Sequence, residues 1–151
     1  GINRYDGIVK LPNTVTKIAN GCFMHCDLKG IELPDTLTEI ENYGFQSCSQ
    51  LTNIVFPSSL KVVKERTFML CKNKESKMTV TLSEGIESIE GGAFYDCSAI
   101  EKLVLPSTLK YIHPEAFYYT VIEEIHVPTS YENDSFNEFL NNKKNAKVVR
   151  Y

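Results

Sequence analysis

Four thiols stand at one recurring place in this chain. Cys26, Cys48, Cys71 and Cys97 each lie three residues after a phenylalanine, and Cys22 is the fifth cysteine. Such a row could pair as disulfides, bind a metal or supply a nucleophile. If successive positions sit one strand spacing apart, about 4.8 Å, a disulfide is geometrically allowed, because its Cα separation is ~4.4–6.8 Å. A zinc site needs ligands that converge on one point. These are strung along a line, with only His25, His113 and His126 to join them. A catalytic thiol needs exposure and an activating base. The plainest reading is a column of small buried hydrophobes, Cys22 among them, with a disulfide left open.

The other candidate groups do not assemble into a reaction centre. The three histidines fall in different columns. Glu123 and Glu124 are adjacent, and neighbours on a strand point to opposite faces, so they are not expected to work as an acid–base pair. The chain has no Gly-x-Ser-x-Gly, no His-Glu-x-x-His and no phosphate-binding glycine loop. It is expected to be no enzyme, with no cofactor and no metal.

The elements that would position these groups repeat along the chain. Units start at Leu11, Leu33, Phe56, Leu82, Leu105 and Val127, at intervals of 22, 23, 26, 23 and 22 residues. Proline follows every start except Leu82, where Ser83 stands. One aliphatic column is Val15, Leu37, Leu60, Ile86 and Leu109, and the next is Ile18, Ile40, Val63, Ile89 and Ile112. An aromatic column follows: Phe23, Phe45, Phe68, Phe94 and Phe117. The residue before it is always small, namely Cys22, Gly44, Thr67, Ala93 and Ala116. Thr120 takes the cysteine position in the last unit.

These spacings fit neither long helices nor simple hairpins. They fit a solenoid, in which each coil has one apolar edge and buries it only by stacking on its neighbours. One short strand is expected before each proline, all parallel, in a narrow curved sheet. Proline then ends the ladder. Turns, with short 3-10 or helical pieces, should cover the opposite face, and Gly21, Gly44, Gly91 and Gly92 suit tight bends there.

The string Leu-Pro-x-x-Leu-x-x-Ile-x-x-x-x-Phe-x-x-Cys-x-x-Leu-x-x-Ile from Leu33 to Ile54 resembles the BspA-like leucine-rich repeats. The resemblance runs over roughly residues 8 to 128. It implies a leucine-rich repeat solenoid of the α/β class over residues 1–128, five units plus an opening strand. Residues 129–151 would form a cap, and the whole would be one structural domain. Within the cap, Phe136, Phe139 and Leu140 are spaced for a short amphipathic helix, capped by Asp134 or Ser135 with Glu138 in its first turn. Residues Lys147 to Tyr151 read as a final strand.

Composition adds limits. Of the 151 residues, 42% are hydrophobic and 23% charged, as in a folded domain, and the net charge is only −3. A dedicated nucleic-acid surface would be strongly basic. No apolar run is long enough to span a bilayer. Gly1 is expected to be what tag removal leaves, so targeting is not to be read from this chain. The opening strand has no obvious cap, which implies a longer protein or a covering partner. The polar loop Lys72 to Lys77 reads as a solvated insertion.

What remains is a surface. Two outward strand columns are expected side by side on the concave sheet face: Ile8, Gly30, Asn53, Thr79, Lys102 and Glu124, beside Lys10, Glu32, Val55, Thr81, Val104 and His126. This mixture suits modest contact with a protein or glycan rather than a deep pocket. A solvated β-face, with Val and Thr present for strand propensity, is the plain alternative. Tyr118 and Tyr119 could form an edge patch or pack between coils. The family resemblance implies a secreted or surface-attached bacterial adhesion module, non-enzymatic and contacting host matrix or cell-surface proteins. Alternatives are a structural spacer and an accessory domain of a larger surface protein. The chain is expected to be a monomer or to associate weakly end to end.

Overall fold

A computed structural model describes residues 7–151; residues 1–6, with Gly1 and the start of the expected opening strand, lie outside the described residues. Each coil but the last carries one longer strand and one of two residues. The longer strands are β1 (Ile8–Lys10), β3 (Gly30–Glu32), β5 (Asn53–Phe56), β7 (Met78–Leu82), β9 (Ile100–Val104) and β11 (Ile122–Val127). The short ones are β2 (Lys17–Ile18), β4 (Glu39–Ile40), β6 (Val62–Val63), β8 (Ser88–Ile89) and β10 (Tyr111–Ile112). The chain closes with α1 (Asp134–Asn141) and β12 (Lys147–Arg150). The longer strands and β12 form one seven-stranded parallel sheet, in the order β1-β3-β5-β7-β9-β11-β12. The short strands pair in parallel as β2-β4 and β6-β8-β10.

The turn after each longer strand follows from its proline. The proline has no N–H to extend the strand. Its carbonyl accepts from the N–H three residues on, as in Leu37 to Pro34 at 3.0 Å and Leu60 to Pro57 at 3.2 Å. That bond swings the aliphatic residue into the core. Ser83 makes the same bond with Ile86 at 3.3 Å. Its hydroxyl also donates to the Phe56 carbonyl, so the one unit without proline keeps its corner.

Among the described residues, the coils before α1 carry turns on the opposite face rather than 3-10 or helical pieces. The chain zigzags around each phenylalanine in these turns. Residues two before and two after the ring are left-handed: Tyr43 and Ser47 (φ 60° and 59°), Arg66 and Leu70 (55° and 62°), Gly92 and Asp96 (66° and 51°). A non-glycine residue there costs of order 1–3 kcal/mol. The compensation is a ladder between coils. Arg66, Phe68 and Leu70 donate their N–H groups to Gly91, Ala93 and Tyr95 of the next coil, at 3.3, 2.8 and 2.8 Å. A helix would turn these donors back on their own coil.

Five phenylalanines run through the core as a stack. Successive ring centroids from Phe23 to Phe117 lie 5.1, 4.9, 5.1 and 4.9 Å apart, with planes within 5° of parallel. Phe56 meets Phe68 edge-on at 5.5 Å. The small residue beside each ring is needed for clearance. A Cβ on Gly44 would come within 2.9 Å of Ile40 and 3.2 Å of the Glu41 carbonyl. Thr67, Ala93 and Ala116 are buried at this position, whereas Cys22 is exposed. The covering comes from the preceding coil, since Gly44 packs against Ile18, and no coil precedes Cys22 among the described residues.

The last coil replaces its short strand with α1. Phe136 and Phe139 are buried, and Phe139 extends the aromatic stack at 5.5 Å from Phe117. The helix cap is Asn133, not Asp134 or Ser135; its side chain accepts from the N–H groups of Ser135 (2.9 Å) and Phe136 (3.3 Å). Asp134, not Glu138, is the acid of the first turn. The cap residues also close the exposed edge of β10. Asn133 donates to the Lys110 carbonyl at 2.7 Å, and the Ser135 hydroxyl accepts from the Ile112 N–H at 3.1 Å. Edge groups that would otherwise invite another strand are thereby occupied.

Candidate binding face

The thiol row is a hydrogen-bond column. Cys48, Cys71 and Cys97 donate to the carbonyls of Phe23, Phe45 and Phe68 in the preceding coil, at 3.0, 3.0 and 2.9 Å. Thr120 does the same to Phe94 with its hydroxyl at 2.6 Å, which explains why threonine can stand for cysteine. The final carbonyl, on Phe117, accepts from the Lys143 ammonium at 2.7 Å. All five cysteines are free. The Cys71 thiol beside it and burial hold Cys48 well above the ordinary thiol range. Cys71 is raised too: contact with Cys48 lowers it, but Cys97 and burial outweigh that. These thiols stay protonated, which suits donors and not nucleophiles.

Cys48, Cys71 and Cys97 are buried, Cys26 only partly so, and Cys22 is exposed, against the expectation that all five were inside. A thiol reagent should therefore label Cys22 at once in the folded protein and Cys26 slowly. The other three should react only on denaturation. Rapid labelling of four thiols would contradict the column. A linked pH effect follows. Unfolded thiols ionise near ~8.5, while Cys48 and Cys71 keep their protons when folded. Stability is then level below that pH and falls as pH climbs through it, because the unfolded state sheds protons first. A melting temperature unchanged from pH 7 to pH 10 would contradict this.

The strand pairing places the outward columns side by side. Ile8 pairs with Gly30, Gly30 with Asn53, Asn53 with Thr79, Thr79 with Lys102 and Lys102 with Glu124. In the second column Lys10 pairs with Glu32, Val55 with Thr81, Thr81 with Val104 and Val104 with His126. Lys147 and Val149 on β12 extend the two columns. The final strand was legible in the sequence, but its register was not. Gly30 is buried and offers no side chain, whereas Ile8 and Val55 are 56% and 48% exposed.

Charges at the two ends of this face are tied in pairs, while Lys102 of β9 stands exposed beside Thr79 with no carboxylate in ion-pair range among the described residues. Lys10 meets Glu32 at 3.3 Å, and Glu124 meets His126 at 2.9 Å and Lys147 at 3.4 Å. His126, then Lys147, holds the Glu124 carboxyl below its usual range. Between these ends lies an uncharged cluster of Asn53, Val55, Thr79, Thr81 and Val104.

Glu123 and Glu124 do not point to opposite faces. Ile122 and Ile125 are both buried, three residues apart, and the two glutamates between them are both half-exposed. With Thr79, Glu101 and Lys102 they line one shallow hollow of about 300 Å³. Strict alternation fails because the repeat puts two residues, not one, between its inward aliphatics. Strand β7 has only one, and the register slips between Met78 and Thr79. Glu123 is nonetheless occupied by Lys77 at 2.6 Å, so the two carboxylates do not form an acid–base pair.

Tyr118 and Tyr119 lie on the turn side and are 47% and 67% exposed, so they form an edge patch and are not buried between coils. Their centroids are 4.4 Å apart, and Tyr119 meets Tyr95 edge-on at 5.5 Å. Beside them is a depression of about 690 Å³.

A family profile described as BspA type Leucine rich repeat region matches in six copies, over residues 7–79 and 72–149. The chain belongs to the BspA-type leucine-rich repeat family. A leucine rich cell surface protein from Faecalibacterium prausnitzii is similar in structure, at 29% identity and a TM-score of 0.77. The likeness covers 90% of this chain and 35% of that one, so the chain spans about a third of that protein's length. No curated protein matches. Within this BspA-type array, both departures from the repeat keep its hydrogen bonds: Ser83 holds the proline corner, and Thr120 holds the thiol column. No described helix is long and apolar enough to cross a membrane.

Proposed function

We propose that this chain is a non-enzymatic protein-binding module displayed at a bacterial cell surface. It meets its partner through the outer face of the seven-stranded sheet, at a host matrix or cell-surface protein. The carrying observation is the uncharged cluster Asn53, Val55, Thr79, Thr81 and Val104, held in register across β5, β7 and the end of β9, bordered by Lys102 and flanked by ion-paired ends. The long-strand ladder and the bonded turns around each phenylalanine hold the backbone under these side chains, so little ordering cost falls on binding. The likeness to a leucine rich cell surface protein supports the display.

The test is retention on immobilised host matrix proteins. Asn53→Ala, Thr79→Ala and Thr81→Ala together should weaken binding by about tenfold or more. These partly exposed positions should cost stability little. Binding that survives the triple change would refute the strand face as the contact. Failure of every matrix protein to bind would return the chain to a spacer role.

A further inference from the structure

The turn side carries a second surface, unlike the strand face in composition. Coil four has Gly91-Gly92 where coil three has Glu65-Arg66 and coil five has Pro114-Glu115. Lacking side chains between two coils that have them, the glycines open a notch. A Cβ on Gly91 would touch the His113 ring at 3.4 Å, and one on Gly92 would meet the Arg66 side chain at 3.3 Å. The resulting groove, about 690 Å³, falls within the range of small-molecule sites, ~300–1,000 Å³. Tyr95 forms one wall and also joins Tyr118 and Tyr119, with centroids 6.2 and 5.5 Å away. Tyr95 and Tyr118 share one repeat position on adjacent coils. Tyr119 occupies a left-handed position (φ 58°). An exposed aromatic ledge therefore runs into a notch.

The polar groups of the groove are mixed. Glu65, Glu90 and Glu115 supply acceptors. The Arg66 guanidinium is held by Tyr43 at 2.9 Å and Glu65 at 3.3 Å. His113 accepts the Glu115 N–H at Nδ1, 3.1 Å, which leaves the proton of the neutral ring on Nε2 as a donor. We propose that this ledge and notch bind a neutral oligosaccharide. A pyranose has a C–H face that lies on an aromatic ring and a rim of hydroxyls that both donate and accept. That combination matches rings beside carboxylates, a guanidinium and an imidazole. A flat protein partner would instead have to desolvate three carboxylates beside one guanidinium, which is costly. An anionic glycan would be repelled by the same three.

The test is affinity electrophoresis and calorimetry with short neutral hexose and N-acetylhexosamine oligosaccharides, with heparin and oligolysine as contrasting probes. At least one neutral oligosaccharide should bind. Tyr119→Ala and Tyr118→Ala should each weaken it by about tenfold, as for a lost aromatic anchor. Gly91→Gln fills the notch, and Gly92→Asn does so while tolerating the left-handed backbone; both should abolish binding with an unchanged melting curve. The Asn53, Thr79, Thr81 triple change should bind as the parent does, so failure here and failure of the strand face are separable. The proposal is overturned if no neutral oligosaccharide binds, or if binding survives both Tyr119→Ala and Gly91→Gln. Capture of heparin or oligolysine in place of the neutral sugars would equally assign the groove to charge.

Discussion

Phe68→Ala should lower stability by about 3–5 kcal/mol, the loss expected for a large buried aromatic. The ring is fully buried, between Phe45 at 4.9 Å and Phe94 at 5.1 Å, with the edge of Phe56 at 5.5 Å. Removing it leaves a void with no flexible neighbour to fill it, because each flanking ring is held by its own coil and its own small neighbour. It also cuts the stack between the first and second halves of the array. In a solenoid, stability is a sum over coils and the interfaces between them, so the unfolding transition should broaden as well as shift. Phe23→Ala is the internal control. Phe23 stands at the end of the stack, is half-buried and has one stacked neighbour, so it should lose well under half as much. Urea unfolding of the two variants decides. A loss below about 1 kcal/mol at Phe68 would be incompatible with a packed aromatic column.

Lys143→Met should be the second costly change, at about 2–4 kcal/mol, since charge-assisted hydrogen bonds contribute ~1.5–3 kcal/mol each and are only partly additive. The ammonium donates to the Phe117 carbonyl at 2.7 Å and the Thr120 carbonyl at 2.6 Å. Methionine keeps the length and the apolar stem but supplies no donor. The Thr120 carbonyl would then lose this donor, and the Phe117 carbonyl would keep only the Thr120 N–H at 3.1 Å. Burial lowers the Lys143 pKa, a sign that holding the charge there is opposed by desolvation and offset by these bonds. Hydrogen exchange should locate the damage. Amides of α1 and β10 should lose protection first, and those of β5 and β7 should keep it. Uniform loss of protection along the chain, or none, would contradict a local cap.

The architecture was legible because like residues recur at like places. Phe45, Phe68 and Phe94 gave the stack, the prolines gave the strand ends, and Phe136 with Phe139 gave the closing helix. Other features left weak marks. Strands such as Lys17–Ile18 are two residues long, too short for any period to show. The left-handed turns are held by Tyr43, Arg66 and Leu70, which carry no turn signature, because bonds between coils impose the conformation. The strand-face columns followed from alternation until Glu123 and Glu124, where the repeat's own spacing breaks it. The groove on the turn side was hidden for another reason. It depends on two glycines being flanked by residues 23 to 26 positions away in the chain.

The ladders also act as a ruler. The bonds of the long-strand sheet and of the turns around each phenylalanine recur at equivalent places from coil to coil, so a complete turn can be duplicated or excised and most of the remaining donors still find acceptors. Cutting out half a turn would set phenylalanine against proline and leave nothing matched. Reach in such a protein therefore changes in steps of about 4.8 Å, and copying whole segments adjusts how far it extends with little change at the junctions.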